Sequence, residues 1–474
     1  MTARHKTLSL AVMAVLGGCA ITPPPAPEEI RASALQGTEI RAEWSAGQPA
    51  AGPISDQWLR TFADPRLDVL VEEAISRNPD LRVAATRVEQ SAAYAEMARG
   101  ALRPSVNLGG TATGTSSGSS DLSSGMQGLL LSASWELDLW GRLRYGQSAA
   151  EFSYASAQAD FEFARQSLAA QVARSWFIAT EARLNLEAAS SMAQAARQLL
   201  QLSEDRQRVG IDRGRDVALA RATLLTFEDM VRQAQQATEQ ASRSLELILG
   251  RYPATELQAA EAFPALPGPV PVGMPLDMLE RRPDMVAAER RVAAAFDRVG
   301  EARAARLPRI SLNAGLGALS SDVLEFKDDY ENPAFGIGAG LLAPIYQGGQ
   351  LKAQVAVRTA EQAEALAQYA SQALTAIGDV ENALGTSRLL AERVGLLTRT
   401  LAEQERVLES EQAAYRAGRQ DLRPVQQQQM QVQSARMALL RVQSEQLVQR
   451  VNLHLALGGS FAEPMMMAEA DSEQ

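Results

Sequence analysis

Few side chains in this 474-residue chain could do covalent or metal chemistry. It holds 2 histidines, His5 and His454, and 1 cysteine, Cys19. No spacing of His, Cys, Asp and Glu suits a metal, and no phosphate-cradling loop or activated-nucleophile motif appears, so no enzyme and no cofactor are expected. Cys19 is the exception. Arg4, His5 and Lys6 precede an apolar run from Leu8 to Leu16, a secretory signal too short to cross a bilayer as a stable helix. Leu16-Gly17-Gly18-Cys19 then has the form of a lipobox, whose cysteine thiol is acylated and becomes the mature N-terminus. Ala20 stands where inner-membrane retention commonly uses aspartate, which points to an outer membrane. Pro23, Pro24, Pro25 and Pro27 make the following segment a stiff, extended tether.

A net charge of −10 gives no basic face for nucleic acid. The elements that must position any site occur twice. Pro79, Ala98 and Pro104 recur as Pro283, Ala302 and Pro308, a constant offset of 204. Gly141, Leu245 and Gly250 recur as Gly349, Leu453 and Gly458, an offset of 208. Two such copies predict one body with internal pseudo-symmetry rather than a string of domains.

Each copy contains a pair of segments that alternate with period two, at about 104–138 and 308–344. Val106 and Leu108, then Leu129, Leu131, Ala133, Trp135 and Leu137, share an apolar parity in the first pair. Ile310, Leu312, Ala314 and Leu316, then Phe335, Ile337, Ala339 and Leu341, do so in the second, against Ser, Asn and Gly on the other parity. The lengths suit tilted membrane strands with lipid outside and a polar or glycine face inside. The Ser/Gly-rich stretch Gly114 to Gly125 and the acidic stretch Ser320 to Asn332 read as exposed hairpin loops. No run of apolar residues is long enough for a transmembrane helix. Four strands cannot close a barrel, for which about eight are the minimum, so strands in lipid force several chains together.

The remainder is predicted helix. Between Gln147 and Val209 there is neither Pro nor Gly, which gives a helix roughly 95 Å long at about 1.5 Å per residue. Val172, Trp176, Ala179, Ala182, Leu186, Ala189, Ala193, Ala196 and Leu200 form a coiled-coil seam, as do Leu390, Val394, Leu397, Leu401 and Leu408 in the second copy. Each long helix turns back at a short polar break containing Gly210 or Gly418.

Several of these segments resemble the outer membrane factor family. Gly273 to Glu289, with Arg282-Pro283-Asp284 at its centre, is similar to the family's midpoint signature. Trp135 to Arg142 resembles its second-strand exit, Leu453 to Gly459 its C-terminal signature, and Trp58 to Leu67 the start of its first helix. The resemblance covers roughly 55–461. It implies an α+β membrane protein: a homotrimeric, twelve-stranded outer-membrane β-barrel with four strands per chain, continued by a long periplasmic α-helical barrel. It also implies a Gram-negative outer-membrane location, a periplasmic adaptor (membrane fusion protein), an inner-membrane RND or ABC pump, and export of small molecules without chemical change. An ABC-driven or type I-like duct is the alternative, with a periplasmic coiled-coil adaptor lipoprotein a more distant one.

The resemblance also implies a gate at the periplasmic tip. By motif position, Asp216 matches an aspartate and Tyr415 a tyrosine of links between hairpins. Arg419 sits one residue from the position where the family often has arginine, and Gln427 stands where a constricting carboxylate is common, which implies a neutral ring. From the residues alone, Asp216 reads equally as a helix-start carboxylate favoured by the dipole. The expected divisions are a signal peptide at 1–18, a tether and equatorial segment at 19–64, a first repeat at 65–253, a Pro-rich crossover at 254–275, a second repeat at 276–458 and an acidic tail at 459–474.

Overall fold

The computed structural model describes residues 21–46, 52, 54, 56–114, 125–321 and 334–461. Cys19, most of both hairpin loops and most of the acidic tail lie outside them. The elements, in order, are α1 (Pro27–Ala34), a 3-10 turn (Trp58–Phe62), α2 (Pro65–Arg77), α3 (Pro79–Gly100), β1 (Ser105–Gly114) and β2 (Gly125–Leu137). They continue with α4 (Arg142–Arg208), α5 (Gly214–Ile248), α6 (Pro275–Arg281), α7 (Pro283–Ala304), β3 (Arg309–Ser321), β4 (Ala334–Leu342), α8 (Gln350–Arg416) and α9 (Arg423–Ala456). The repeat is visible in lengths: α3 and α7 have 22 residues each, α4 and α8 have 67 each, and α5 and α9 have 35 and 34. No described helix is long and apolar enough to cross a membrane.

The chain divides into two compact units. One holds residues Met1–Thr38, Thr86–Ala159 and Ala287–Ser371, and the other holds Glu39–Ala85, Asp160–Val286 and Gln372–Gln474. In the first unit both strand pairs join one antiparallel sheet of order β1-β2-β3-β4. Its register sets Leu108 opposite Leu131, Leu131 opposite Leu316 and Leu316 opposite Phe335. Opposed residues share a face, so an apolar row runs across all four strands. Val106, Ala133, Ala314 and Ile337 form the next row. This face is bare: Leu108 is 72% and Ile337 75% exposed. Leu130 departs from the alternation. It lies on the glycine face, where its side chain fits over Gly315 and Gly317 because neither has a Cβ.

The second unit holds the main apolar core. Trp58, Phe62, Leu67, Val172, Trp176, Phe177, Leu245, Leu249 and Val451 pack together there. Asp64 caps α2 by accepting from the backbone N–H of Arg66 and Leu67, and its other carboxylate oxygen takes the Trp176 indole N–H at 2.7 Å. The repeat shows again in how helix ends are tied. Asn78 caps α3 and donates to the Ile248 carbonyl, while its repeat mate Arg282 holds Asp284 and donates to the Ala456 carbonyl, the repeat mate of Ile248.

Each of α5 and α9 ends on a left-handed glycine, Gly250 at φ 74° and Gly458 at φ 70°. A Cβ at Gly250 would lie 2.9 Å from the Arg77 carbonyl oxygen. Gly250→Ala therefore meets both a left-handed backbone and a clash, and is expected to cost about 2–4 kcal/mol. Thermal unfolding checks this, and an unchanged melting temperature would show that the α2–α5 junction is loose.

Candidate functional site

The two helical turns come together in the second unit. At the α4–α5 turn the chain reverses through Gly210 at φ 79°, and the N–H of Ile211 returns to the Arg206 carbonyl at 2.9 Å. This helix-ending geometry brings Arg206 beside Asp212. The α8–α9 turn repeats it with Gly418 at φ 68° and the Arg419 N–H on the Ala414 carbonyl.

Tyr415, on the last turn of α8, is almost fully buried with Leu199, Ala220, Leu422 and Val425. Its hydroxyl donates to Asp212 Oδ2 at 2.5 Å. The same carboxylate accepts from Ser203 Oγ at 3.0 Å and from Arg206 Nε at 2.9 Å. Arg206 also donates to the Tyr415 carbonyl at 3.1 Å and lies over its ring, 4.6 Å from the centroid. The phenol, guanidinium and carboxylate thus form one closed latch between the two turns, inside one chain. Charge-assisted bonds of this kind are the stronger ones.

Electrostatics keeps the proton on Tyr415 and off Asp212. Burial alone would raise the Asp212 carboxyl, but the bonds from Tyr415, Arg206 and Ser203 outweigh it and hold it below its usual range. Burial, then the bond to Asp212, pushes Tyr415 up to about 12. At neutral pH the latch is a neutral phenol donating to a carboxylate.

The residues expected at the tip fall as follows. Within the chain the acceptor of the Tyr415 phenol is Asp212, not Asp216. Asp216 lies three residues after Arg213, the N-cap of α5, and its carboxylate folds back to accept the Arg213 N–H at 3.2 Å. It therefore acts as a helix-start carboxylate. Gly210 and Gly418 form the turns. Arg419 and Gln427 are exposed and Gln420 bonds to Glu411. Asp212, Arg206 and Ser203 were not singled out by motif position. Their signal was the glycine turn itself, which fixes the residue four before Gly210 next to the one two after it.

A second buried polar group carries no chemistry but fixes the helix ends. Glu246 is 1% exposed and accepts the backbone N–H of Thr255, Glu256 and Leu257. Its repeat mate is His454, which stacks on Trp58 at 5.7 Å with both ring nitrogens unpartnered. Burial, then the nearby Arg450 charge, lowers His454 to about 4. His454 is a packed, neutral side chain. Among the described residues no group of His, Cys, Asp and Glu could hold a metal.

Comparison with known proteins places this geometry. Residues 70–251 and 275–459 match the outer membrane efflux protein family, one segment in each repeat. The chain is 30% identical over 473 residues to the pyoverdine export outer membrane protein OpmQ of Pseudomonas putida, covering 97% of this chain and 98% of that one. It is 29% identical to the antibiotic efflux pump outer membrane protein ArpC of Pseudomonas putida, over 96% of each. The open-state structure of the Neisseria gonorrhoeae MtrE outer membrane channel superposes with a TM-score of 0.78 at 25% identity, covering 93% of this chain and 98% of that one. With four strands among the described residues, two helical hairpins of nearly equal length and a matching segment in each repeat, the chain belongs to the outer membrane efflux protein family, and it is an outer-membrane channel component of an efflux system.

Proposed function

We propose that three copies of this chain, anchored by an acyl group on Cys19, close one outer-membrane duct through which a partner pump expels small molecules. The carrying observation is the four-stranded sheet. Within the chain β1 and β4 are its edges, and its apolar face is bare. An open edge in lipid leaves backbone N–H and C=O groups without partners, so β4 of one copy pairs with β1 of the next. Two copies would reach the barrel minimum of about eight strands. Three, giving twelve, is the number the family resemblance implies. Leu389 and Leu396, beside the seam of α8 and bare in the single chain, suit burial against a neighbouring copy.

The latch at the hairpin turns serves as the gate in this reading, and a periplasmic adaptor opens it. Val209 and Ile211, both well exposed beside Gly210, offer that adaptor an apolar contact. In this reading the exposed Arg419 links to the next copy, and Gln427 makes the constriction neutral. The pump, of RND type or otherwise ABC-driven, selects the cargo. The relatives' names, spanning pyoverdine and antibiotics, suit a duct with little selectivity of its own.

Native mass spectrometry of the extracted protein tests the assembly, with a trimer expected. Monomers alone would overturn it. Ile337→Arg puts a charge on the lipid face and is expected to cost about 2–4 kcal/mol of insertion near the midplane, read as loss of trimer in the outer-membrane fraction. Intact-mass measurement of the mature N-terminus should find Cys19 acylated, and a free thiol would remove the anchor from the proposal.

A further inference from the structure

A cavity of about 500 Å³ opens among α4, α5 and α9, and none of its lining residues belongs to the turns. Alanines form its floor, Ile178, Met230 and Met437 its apolar rim, and no basic residue lines it. Glu181, Asn185 and Gln433 supply most of its polar lining. Gln433 is 2% exposed, and neither atom of its amide has a partner. The buried Oδ1 of Asn185 is likewise unpartnered. Buried amides are almost always satisfied in folded proteins, so these covered, unpartnered atoms in residues that line the cavity leave hydrogen-bonding capacity that a ligand can use once the side chains turn toward it.

The lining also sets the ligand's chemistry. The carboxylate of Glu181, Asn185 Oδ1 and Gln433 Oε1 are acceptors; the donors in the lining are amide NH2 groups, of which Gln433's is unpartnered and Gln233's is held by Asp229. A ligand that fits must bring donors. Burial raises the Glu181 carboxyl above its usual range, with Glu445 adding to this and Ser444, Arg441 and Asn185 opposing it. A donor that is also cationic offsets the cost of holding that carboxylate ionised. Methionine and isoleucine at the rim accept a flat apolar body of variable outline.

We propose that this groove binds an amphipathic organic cation, its apolar body held by Ile178, Met230 and Met437 and its ammonium head donating to Glu181, Asn185 and Gln433. Such a site lies in the wall of the helical hairpins and is separate from the gate.

The test uses the full chain in lipid nanodiscs, titrated with dansylcadaverine, which joins a dansyl body to a primary ammonium. Dansylamide, the same body without the ammonium, is the control. Saturable, blue-shifted emission is expected, with dansylcadaverine bound more tightly. Glu181→Gln, nearly isosteric, should weaken dansylcadaverine about tenfold and leave dansylamide unchanged. Ala234→Phe fills the groove and should abolish both signals. Loss of the ammonium preference in Glu181→Gln supports the site even if Ala234→Phe fails to fold. Unsaturable emission, as for probe dissolved in lipid, overturns the proposal. So does saturable binding that Glu181→Gln leaves intact, or a groove already closed by water or a second copy and therefore silent to both probes.

Discussion

Asp212→Ala combined with Tyr415→Phe is expected to raise single-channel conductance several-fold and to sensitise the outer membrane to large antibiotics, while the proposed trimer persists. The latch joins the α4–α5 and α8–α9 turns through a carboxylate that is buried and holds three donors. Tyr415→Phe alone removes one bond and leaves Asp212 with Arg206 and Ser203, so its effect should be small. Asp212→Ala leaves the part-buried Arg206 with only the Tyr415 carbonyl and ring, and losing its charged partner is expected to cost about 1–3 kcal/mol. Neither substitution touches the four-stranded sheet, so the proposed assembly should survive. Asp216→Ala should weaken the start of α5 by about 1 kcal/mol and leave conductance near wild type. Bilayer recordings separate the cases: wild-type conductance in the double variant would remove the latch from the gate.

The latch also carries a pH signature. Asp212 is depressed in the folded chain, so its contribution is present above the ordinary carboxylate range and disappears as pH falls through its lowered value. Tyr415 is raised, so its contribution is complete below about 10 and is lost as pH climbs through about 12. Conductance should be lowest across the neutral range and rise at both extremes, with the acid rise absent from Asp212→Ala.

Glu246→Leu and His454→Leu should have opposite consequences although the two positions are equivalent in the repeat. Glu246 satisfies three backbone N–H groups at the start of the crossover. Leucine leaves them buried and unpaired, at about 1–3 kcal/mol each, and a loss of at least about 3 kcal/mol is expected. His454 satisfies nothing. Replacing it by leucine forfeits the stack on Trp58 but removes two unpaired polar atoms, so stability should change by less than about 1 kcal/mol. Because His454 is depressed to about 4, the wild type pays for its protonation as pH falls from about 6.5 toward 4, and His454→Leu should lose less stability over that window. Chemical denaturation at pH 7 and pH 5 checks both. Equal losses in the two variants would mean that the crossover does not depend on the Glu246 carboxylate.

The repeat, the strand parity and the helical hairpins were legible in the chain because each is a local periodicity. Offsets of 204 and 208 reappear as helices of equal length, and Leu131 and Ile337 fall on the apolar face their alternation assigned. Glycine at 210 and 418 marked the turns, since a left-handed residue ends a helix whatever it packs against. Three things were set only by tertiary structure. Sequence period fixes a strand's faces but not its neighbour, so the pairing of β2 with β3, nearly two hundred residues apart, came from the fold. Motif position offered Asp216 as a link to Tyr415 and equally as a helix-start carboxylate, and within the chain the choice depends on where each carboxylate points: at the third residue of α5 it points back to its own helix start, and two residues past Gly210 it points to the other hairpin. Glu246 and His454 hold equivalent places in the two repeats, but one meets three backbone donors and the other an indole face. A repeat fixes where a side chain starts, and the packing around it decides what it meets.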